Sequence, residues 1–287
     1  MDEIDKILEK VEARSTEERH ESLLDIRILR VTSAEILEKC PTRWRMELPV
    51  NKVKTELQIE NIPDNKPAKR DYGKVGTLVH LLAEQHLDRI CAPSDDDESF
   101  LTDEELALVA MGLGRVLPIN EIKNWRKYQT RLAAKFAGCS ILSKEKRYEI
   151  PADISYRVTG GIDCVIKDNE GNVWVVDHKT ERKPHTKGYW KTKLQIVSYA
   201  AAIGTLYNVE KVGIFVGMVN TGDDMDFFLN TAQCAASVKR RYASIEKDIK
   251  SGATRLSGGS QCTYCIVKET CPNKRDVPSI LSLLGEN

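Results

Sequence analysis

The hydrophobic pattern changes period along this chain, and the changes mark out its elements. Ile4, Ile7, Leu8 and Val11 recur at helical spacing. "LLDIRILRV", residues 23–31, reads as extended. "TSAEILEKC", residues 32–40, carries Thr32 and Glu35 at capping-box spacing, which predicts a helix starting there and ending before Pro41. Residues 51–70 are polar with two prolines and read as a loop. A helix is predicted at 76–90, and an acidic linker leads to two more at 102–116 and 120–137. The period then drops to two. Residues 144–180, "KEKRYEIPADISYRVTGGIDCVIKDNEGNVWVVDHKT", read as three strands, with "DNEG" turning between the last two. A helix at 190–207, strands at 211–219 and 224–230, and a long basic helix at 231–250 complete the pattern. This order predicts an α/β fold, a mixed sheet core flanked by helices with a helical insertion at 95–137.

A chain of 287 residues is long enough to bury a substantial core. The expectation is one domain over 1–287: an N-terminal helical part at 1–75, the insertion, a central core at 140–230, and a C-terminal helix with a cysteine cluster at 231–287. No apolar run approaches the ~18 residues of a membrane span. "LALVAMGLGRVLPI" is too short and contains Arg115. The acidic, amphipathic start does not resemble a signal peptide, so the expected location is cytoplasmic, with no membrane partner.

Formal net charge is zero, which excludes a uniformly basic coat but leaves local patches. Residues 178–193, "HKTERKPHTKGYWKTK", hold six Lys/Arg and one Glu directly after "VVD". The run is either a solvated loop or a contact surface for a polyanion. In the second case Lys183, Lys187 and Lys191 would meet phosphates, and Tyr189 and Trp190 would stack on bases.

The candidate chemistry centres on the predicted hairpin. With its turn on Glu170, Lys167 faces Val173, Val165 faces Val175, and Asp163 faces Asp177. Opposed like charges destabilise a sheet. A divalent cation between the two carboxylates would remove that cost. Alternation puts Lys179 on the face of Asp177 and turns the His178 side chain away, although its carbonyl can still reach an ion. A structural Asp–Lys pair at a strand end is the competing reading. Gln195 and Tyr199 share a helical face at i, i+4, and a surface glutamine with a half-buried tyrosine would fit that spacing as well. His80 sits in the first turn of a leucine-rich helix, where a satisfied core histidine competes with a ligand. Cys262, Cys265 and Cys271 form a C-x2-C-x5-C cluster, which in a reducing compartment points to a metal rather than disulfides.

"GGID", "VVDHKT" and "QIVSY", in that order, resemble the PD-(D/E)XK nuclease superfamily, and the Q-x-x-x-Y element resembles its RecB-like branch. Gly76–His80 matches the G-x-x-x-H of that branch, and "CPTRW" after a predicted helix resembles its opening motif. Cys40 lies where iron–sulfur members have their first cysteine, and the C-terminal cluster matches their last three. The pattern is similar to CRISPR-associated adaptation nucleases with a 4Fe–4S cluster, to the AddB nuclease domain and to stand-alone exonucleases. The "P-D" of the family name is reduced here to Ile162-Asp163, as is common in that branch.

The resemblance implies a site. His80, Asp163, Asp177 and the carbonyl of His178 would hold Mg2+ or Mn2+. Lys179 would be the catalytic lysine, and Gln195 and Tyr199 would orient the site or the strand. Glu149 is offered as an extra acid on the preceding strand. Cys40, Cys262, Cys265 and Cys271 would hold a 4Fe–4S cluster that clamps the scaffold; zinc is the alternative, although four-cysteine zinc sites more often show two C-x2-C pairs.

The implied function is a metal-dependent exonuclease on single-stranded DNA ends, in recombination, repair, phage replication or CRISPR adaptation. A bacterial, archaeal or phage-encoded protein would fit these roles. A Walker A phosphate-binding loop is missing from the sequence, so any unwinding would come from a helicase, recombinase or integrase partner. The alternative is a non-catalytic nucleic-acid-binding or partner subunit with the same fold.

Overall fold

The computed structural model describes residues 28–43, 72–91, 103, 106–107, 119–180 and 185–251, together with Cys262, Cys265 and Cys271. The expected helix near the N-terminus, the loop at 51–70, the acidic linker and Lys183 lie outside the described residues.

Strand β1 (Ile28–Arg30) runs straight into helix α1 (Val31–Lys39). Helices α2 (Tyr72–Cys91) and α3 (Ile119–Phe136) precede the three predicted strands: β2 (Ser140–Glu149), β3 (Arg157–Lys167) and β4 (Val173–Lys179). Then come α4 (Lys187–Thr192), α5 (Leu194–Leu206), β5 (Lys211–Met218), β6 (Asp223–Asn230) and α6 (Thr231–Ser251). The six strands form one mixed sheet in the order β1-β3-β4-β5-β6, with β2 paired to the other edge of β3. The α/β expectation holds.

The sheet separates two apolar layers. On one side β4 contributes Val173 and Val175, packed with Leu194, Ile196 and Ile203 of α5, Val238 and Tyr242 of α6, and Leu37 of α1. On the other side it contributes Trp174 and Val176, packed with Leu81 and Leu87 of α2 and Tyr128, Leu132 and Phe136 of α3. A strand covered on both faces has no polar side to spare, so Val173 to Val176 form an unbroken apolar run. Each such side chain contributes ~1.5–3 kcal/mol by leaving water.

The hairpin between β3 and β4 forms in the expected register, with Lys167↔Val173, Ile166↔Trp174, Val165↔Val175 and Cys164↔Val176. Asp168 organises its turn. Its carboxylate accepts from the backbone N–H groups of Glu170 and Asn172 and from Trp174 Nε1, and Gly171 takes the left-handed conformation at φ +88°.

Three helix boundaries differ from expectation. Helix α2 begins at Tyr72, four residues before the expected 76, so His80 lies in its third turn rather than its first. The Thr32–Glu35 capping box does not form: α1 begins at Val31, and its N-cap Arg30 has no side-chain cap. Glu35 instead accepts from the backbone N–H of Gln195 at 2.8 Å and so caps the first turn of α5. The single helix expected at 190–207 is split at Lys193, whose extended backbone (φ −60°, ψ 128°) ends α4 and opens α5. That break exposes the N–H that Glu35 takes. Glu38 binds Arg241 of α6 through two contacts of 2.6 Å, which ties α1 to the C-terminal helix.

Candidate active site at the fork of the sheet

Strand β3 has β2 along one edge, and its other edge is shared. β1 takes residues 157–159 and β4 takes residues 164–167. Between them, residues 160–163 pair with neither strand, so the sheet opens into a fork. The ladder between β3 and β4 stops one pair short of Asp163 and Asp177. In place of the next backbone bond, the His178 N–H donates to Asp163 Oδ2 at 2.6 Å. A strand N–H lies in the plane of its sheet, so the Asp163 carboxylate sits in the gap itself.

Simple alternation slips at this point. Val158 and Ile162 pack in the α5 layer, and so does Val165, while Cys164 and Ile166 pack in the α2 layer. Two consecutive residues, Asp163 and Cys164, therefore lean away from α5. Asp163 Oδ1 lies 3.4 Å from His80 Nδ1 of α2, while Asp177 remains on the α5 side.

The α5 side is a closed polar chain. Lys179 Nζ contacts both Asp177 oxygens, at 3.0 and 2.8 Å, and donates to Gln195 Oε1 at 3.1 Å. Gln195 Nε2 donates to Tyr199 Oη at 3.0 Å. Lys179 does share a face with Asp177, and Gln195 with Tyr199, as alternation and helical spacing required. Gly160 admits the Tyr199 ring, because a Cβ there would collide with it. Burial first, then the Asp177 charge, hold the Tyr199 phenol well above its ordinary range, so it stays neutral.

The α2 side gathers charge. His80, Glu145 and Asp163 each offer a ligand atom, and these lie within 4.8 Å of one another. Glu145 stands on β2 opposite Asp163, between the pairs Lys144↔Cys164 and Lys146↔Ile162, with its backbone in the left-handed region at φ +44°. Burial opposes a proton on His80, but Asp163 and Glu145 outweigh it and push the pKa up to about 9. Burial raises Asp163 above its ordinary value, the His80 charge opposes that, and nearby Asp177 adds to it. The anionic charge gathered here is what a divalent cation would neutralise. The donors are two carboxylates and one imidazole, a set of hard oxygens with one nitrogen, so the residues fit such an ion.

Glu145 was not among the residues picked out from the sequence. A charged residue in "SKEKRYE" has no motif, and only the strand pairing reveals it. Glu149, the acid offered on that strand, is exposed and pairs with Arg157 at 3.2 Å, so it takes no part in the group.

The other expected residues are placed as follows. His178 turns its ring to the α2/α3 side, where burial holds its pKa well below the ordinary value. Lys187 and Lys191 are exposed, and their ammonium groups stand over the Phe227 ring at 5.9 and 5.7 Å. Tyr189 stacks on His185 at 4.1 Å. Trp190 departs from the base-stacking expectation: it is fully buried beneath α4 as part of the core and offers no face to a base. Its neighbours in a basic run hid an apolar anchor.

Cys40 caps α1, and its Sγ accepts from the Arg43 N–H at 3.4 Å. The Cys265 N–H donates to the Cys262 carbonyl at 3.4 Å, and these cysteines and Cys271 are half-buried free thiols. Among the described residues the cysteines form no tight ligand group like that of His80. Cys139, Cys164 and Cys234 are core thiols, and Cys91 is half-buried. Burial pushes Cys91 and Cys234 up to about 11 and Cys164 higher still.

Among the described residues, no helix is long and apolar enough to cross a membrane. None of the curated proteins matches this chain. Among solved structures it is similar to the one titled "Crystal structure of SSO0001", at 16% identity and a TM-score of 0.50, over 94% of this chain and 98% of that one. That likeness concerns the fold alone. Residues 29–272 match the PD-(D/E)XK nuclease superfamily, a span that runs from β1 past the last cysteine. With the acid of β3 in the His80–Glu145–Asp163 group and the D-x-K on β4 across the fork, the chain belongs to the PD-(D/E)XK nuclease superfamily.

Proposed function

We propose that this chain is a divalent-metal-dependent deoxyribonuclease of the RecB-like branch, acting as an exonuclease on single-stranded ends. The observation that carries the reading is the fork: a His/Glu/Asp group on one side faces a lysine held by a carboxylate and an amide on the other. His80, Glu145 and Asp163 would hold Mg2+ or Mn2+, with Asp177 and the His178 carbonyl at the same opening. A bound divalent ion supplies charge neutralisation and polarises a phosphoryl oxygen.

The chain's own residues do the rest. Asp177 and Gln195 aim the Lys179 ammonium into the opening, where it meets the attacking water or the charge that builds on phosphorus. Tyr199 fixes Gln195, and Glu35 fixes the turn that carries it. Lys187 and Lys191 supply exposed positive charge for the strand.

A 4Fe–4S cluster on Cys40, Cys262, Cys265 and Cys271 belongs to the same reading. It is supported by the C-x2-C-x5-C spacing, the four free thiols and the N–H donated to Cys40 Sγ. Protein purified without oxygen should be brown and carry iron and sulfide; a colourless protein with one zinc would replace the cluster with the alternative.

The test of function uses single- and double-stranded DNA and RNA, each labelled at one end, with Mn2+, Mg2+ or EDTA. Release of mononucleotides or short products from single-stranded DNA, abolished by EDTA and by Asp163→Asn, is the expected result. Cleavage that persists in Asp163→Asn would remove the site from the reaction. Tight binding without cleavage of any substrate would leave the non-catalytic subunit.

A further inference from the structure

Helix α3, which lies in the segment read as an insertion, brings the site a side chain that no motif announces. Tyr128 is fully buried, and its hydroxyl meets His178 Nδ1 at 2.5 Å. The two rings stand edge-on, with centroids 5.9 Å apart and planes at 85°. Phe215 lies against the same tyrosine at 6.5 Å and Trp125 at 5.8 Å. Gly217 is the ladder partner of His178 on β5, and a Cβ there would run into the Tyr128 ring. The missing side chain on β5 is the slot that the tyrosine fills.

The hydrogen bond has a preferred direction. A phenol hydroxyl is the stronger donor of the two groups and an imidazole nitrogen the stronger acceptor. The hydroxyl therefore donates to Nδ1, and the ring proton stays on Nε2. The His80 ring lies 5.9 Å from this imidazole, edge to face, so both histidines border the same opening.

The backbone carries the consequence. His178 donates its N–H to Asp163 Oδ2 at 2.6 Å, at the point where the ladder between β3 and β4 has already ended. Across the fork, that peptide is the link between the D-x-K strand and the acid of β3. Its other neighbour is a glycine, which steadies nothing by side-chain contact. We propose that Tyr128 is a positioning residue for the nuclease site: by gripping the His178 ring from α3, it holds the peptide that binds Asp163 and aims the His178 carbonyl. This rests on the nuclease reading of the fork.

Tyr128→Phe keeps the ring and removes the hydroxyl. Turnover of single-stranded DNA with Mn2+ should fall about 10–100-fold, as when the support of a metal-site residue is lost, with KM for DNA unchanged. Nitrogen-15 imidazole spectra should show His178 as the Nε2–H form in the wild type and as a mixture in the variant, with the thermal midpoint little moved. Unchanged turnover with an unchanged His178 spectrum overturns the proposal. So does an Nδ1–H form in the wild type, which decides the matter even if the variant fails to fold. A wild-type chain that cleaves nothing sinks the nuclease reading instead. The proposal would then be judged by the spectra and by Mn2+ affinity, which Tyr128→Phe should weaken.

Discussion

The two sides of the fork are built on different principles. On the α5 side, Asp177, Lys179, Gln195 and Tyr199 satisfy one another through hydrogen bonds and an ion pair. On the α2 side, His80, Glu145 and Asp163 crowd two carboxylates against one imidazole. The first side keeps its shape unaided. The second carries two crowded carboxylates, and their charge pushes the His80 pKa up to about 9. On the function proposed above, ion capture falls to the α2 side and handling of the reacting phosphate to the α5 side.

The sharpest way to break this comparison is a crossed pair of variants. Lys179→Ala should cost cleavage about 10²–10³-fold, as for a lost transition-state donor, and leave Mn2+ affinity by calorimetry little changed. Glu145→Gln should weaken Mn2+ binding about 10–100-fold, with cleavage partly restored by excess ion. The opposite outcome, in which Lys179→Ala loses the ion and Glu145→Gln keeps it, would merge the two sides into one.

The layers behind the fork differ too. The α5 layer is closed by apolar fit: Gly160→Ala would push a Cβ into Tyr199 and should cost about 1–3 kcal/mol in urea unfolding, with little dependence on salt. The α3 side adds charge. Lys127 pairs with Asp223, Arg131 with Asp224 and Lys135 with Asp226, three rungs that fasten α3 along β6. Arg131→Ala should cost only about 0.2–1 kcal/mol, because the pair is partly exposed, and concentrated salt should shrink that difference. A salt-insensitive loss would mean that Arg131 works through its packing.

The smallest effect belongs to pH. Glu246 of α6 accepts from the Ser155 hydroxyl and N–H and pairs with Lys250, and these contacts hold its carboxyl down at about 2, against an ordinary 4.5. A depressed acid contributes stability that is present above its unfolded value and lost as pH falls through the folded one. The advantage of wild type over Glu246→Gln should therefore be constant above 4.5 and vanish as pH drops toward 2. A gap that persists at the acid end would assign the effect to shape rather than charge.

Much of the core was legible because its signals are local. The hairpin register follows from one turn, and Gln195 and Tyr199 share a face through helical spacing alone. Other features could be seen only across the fold. Thr32 and Glu35 look like a cap for their own helix, yet Glu35 serves α5, because the break at Lys193 presents a free N–H beside it. Trp190 sits in a basic run and is nevertheless core, since alternate faces of a short helix meet different surroundings. Asp163 faces away from its expected partner because the alternation slips beside the left-handed Glu145.

The sequence by itself determined the order of elements, the register of the central hairpin and the identity of the acid, the D-x-K and the Q-x-x-x-Y. These depend on period and on neighbours a few residues apart. Tertiary structure alone decided that the sheet forks at residues 160–163, that Glu145 joins His80 and Asp163, and that Tyr128 grips His178. Those outcomes depend on which distant segments share a sheet edge or a layer, and packing geometry settles that where no periodicity along the chain records it.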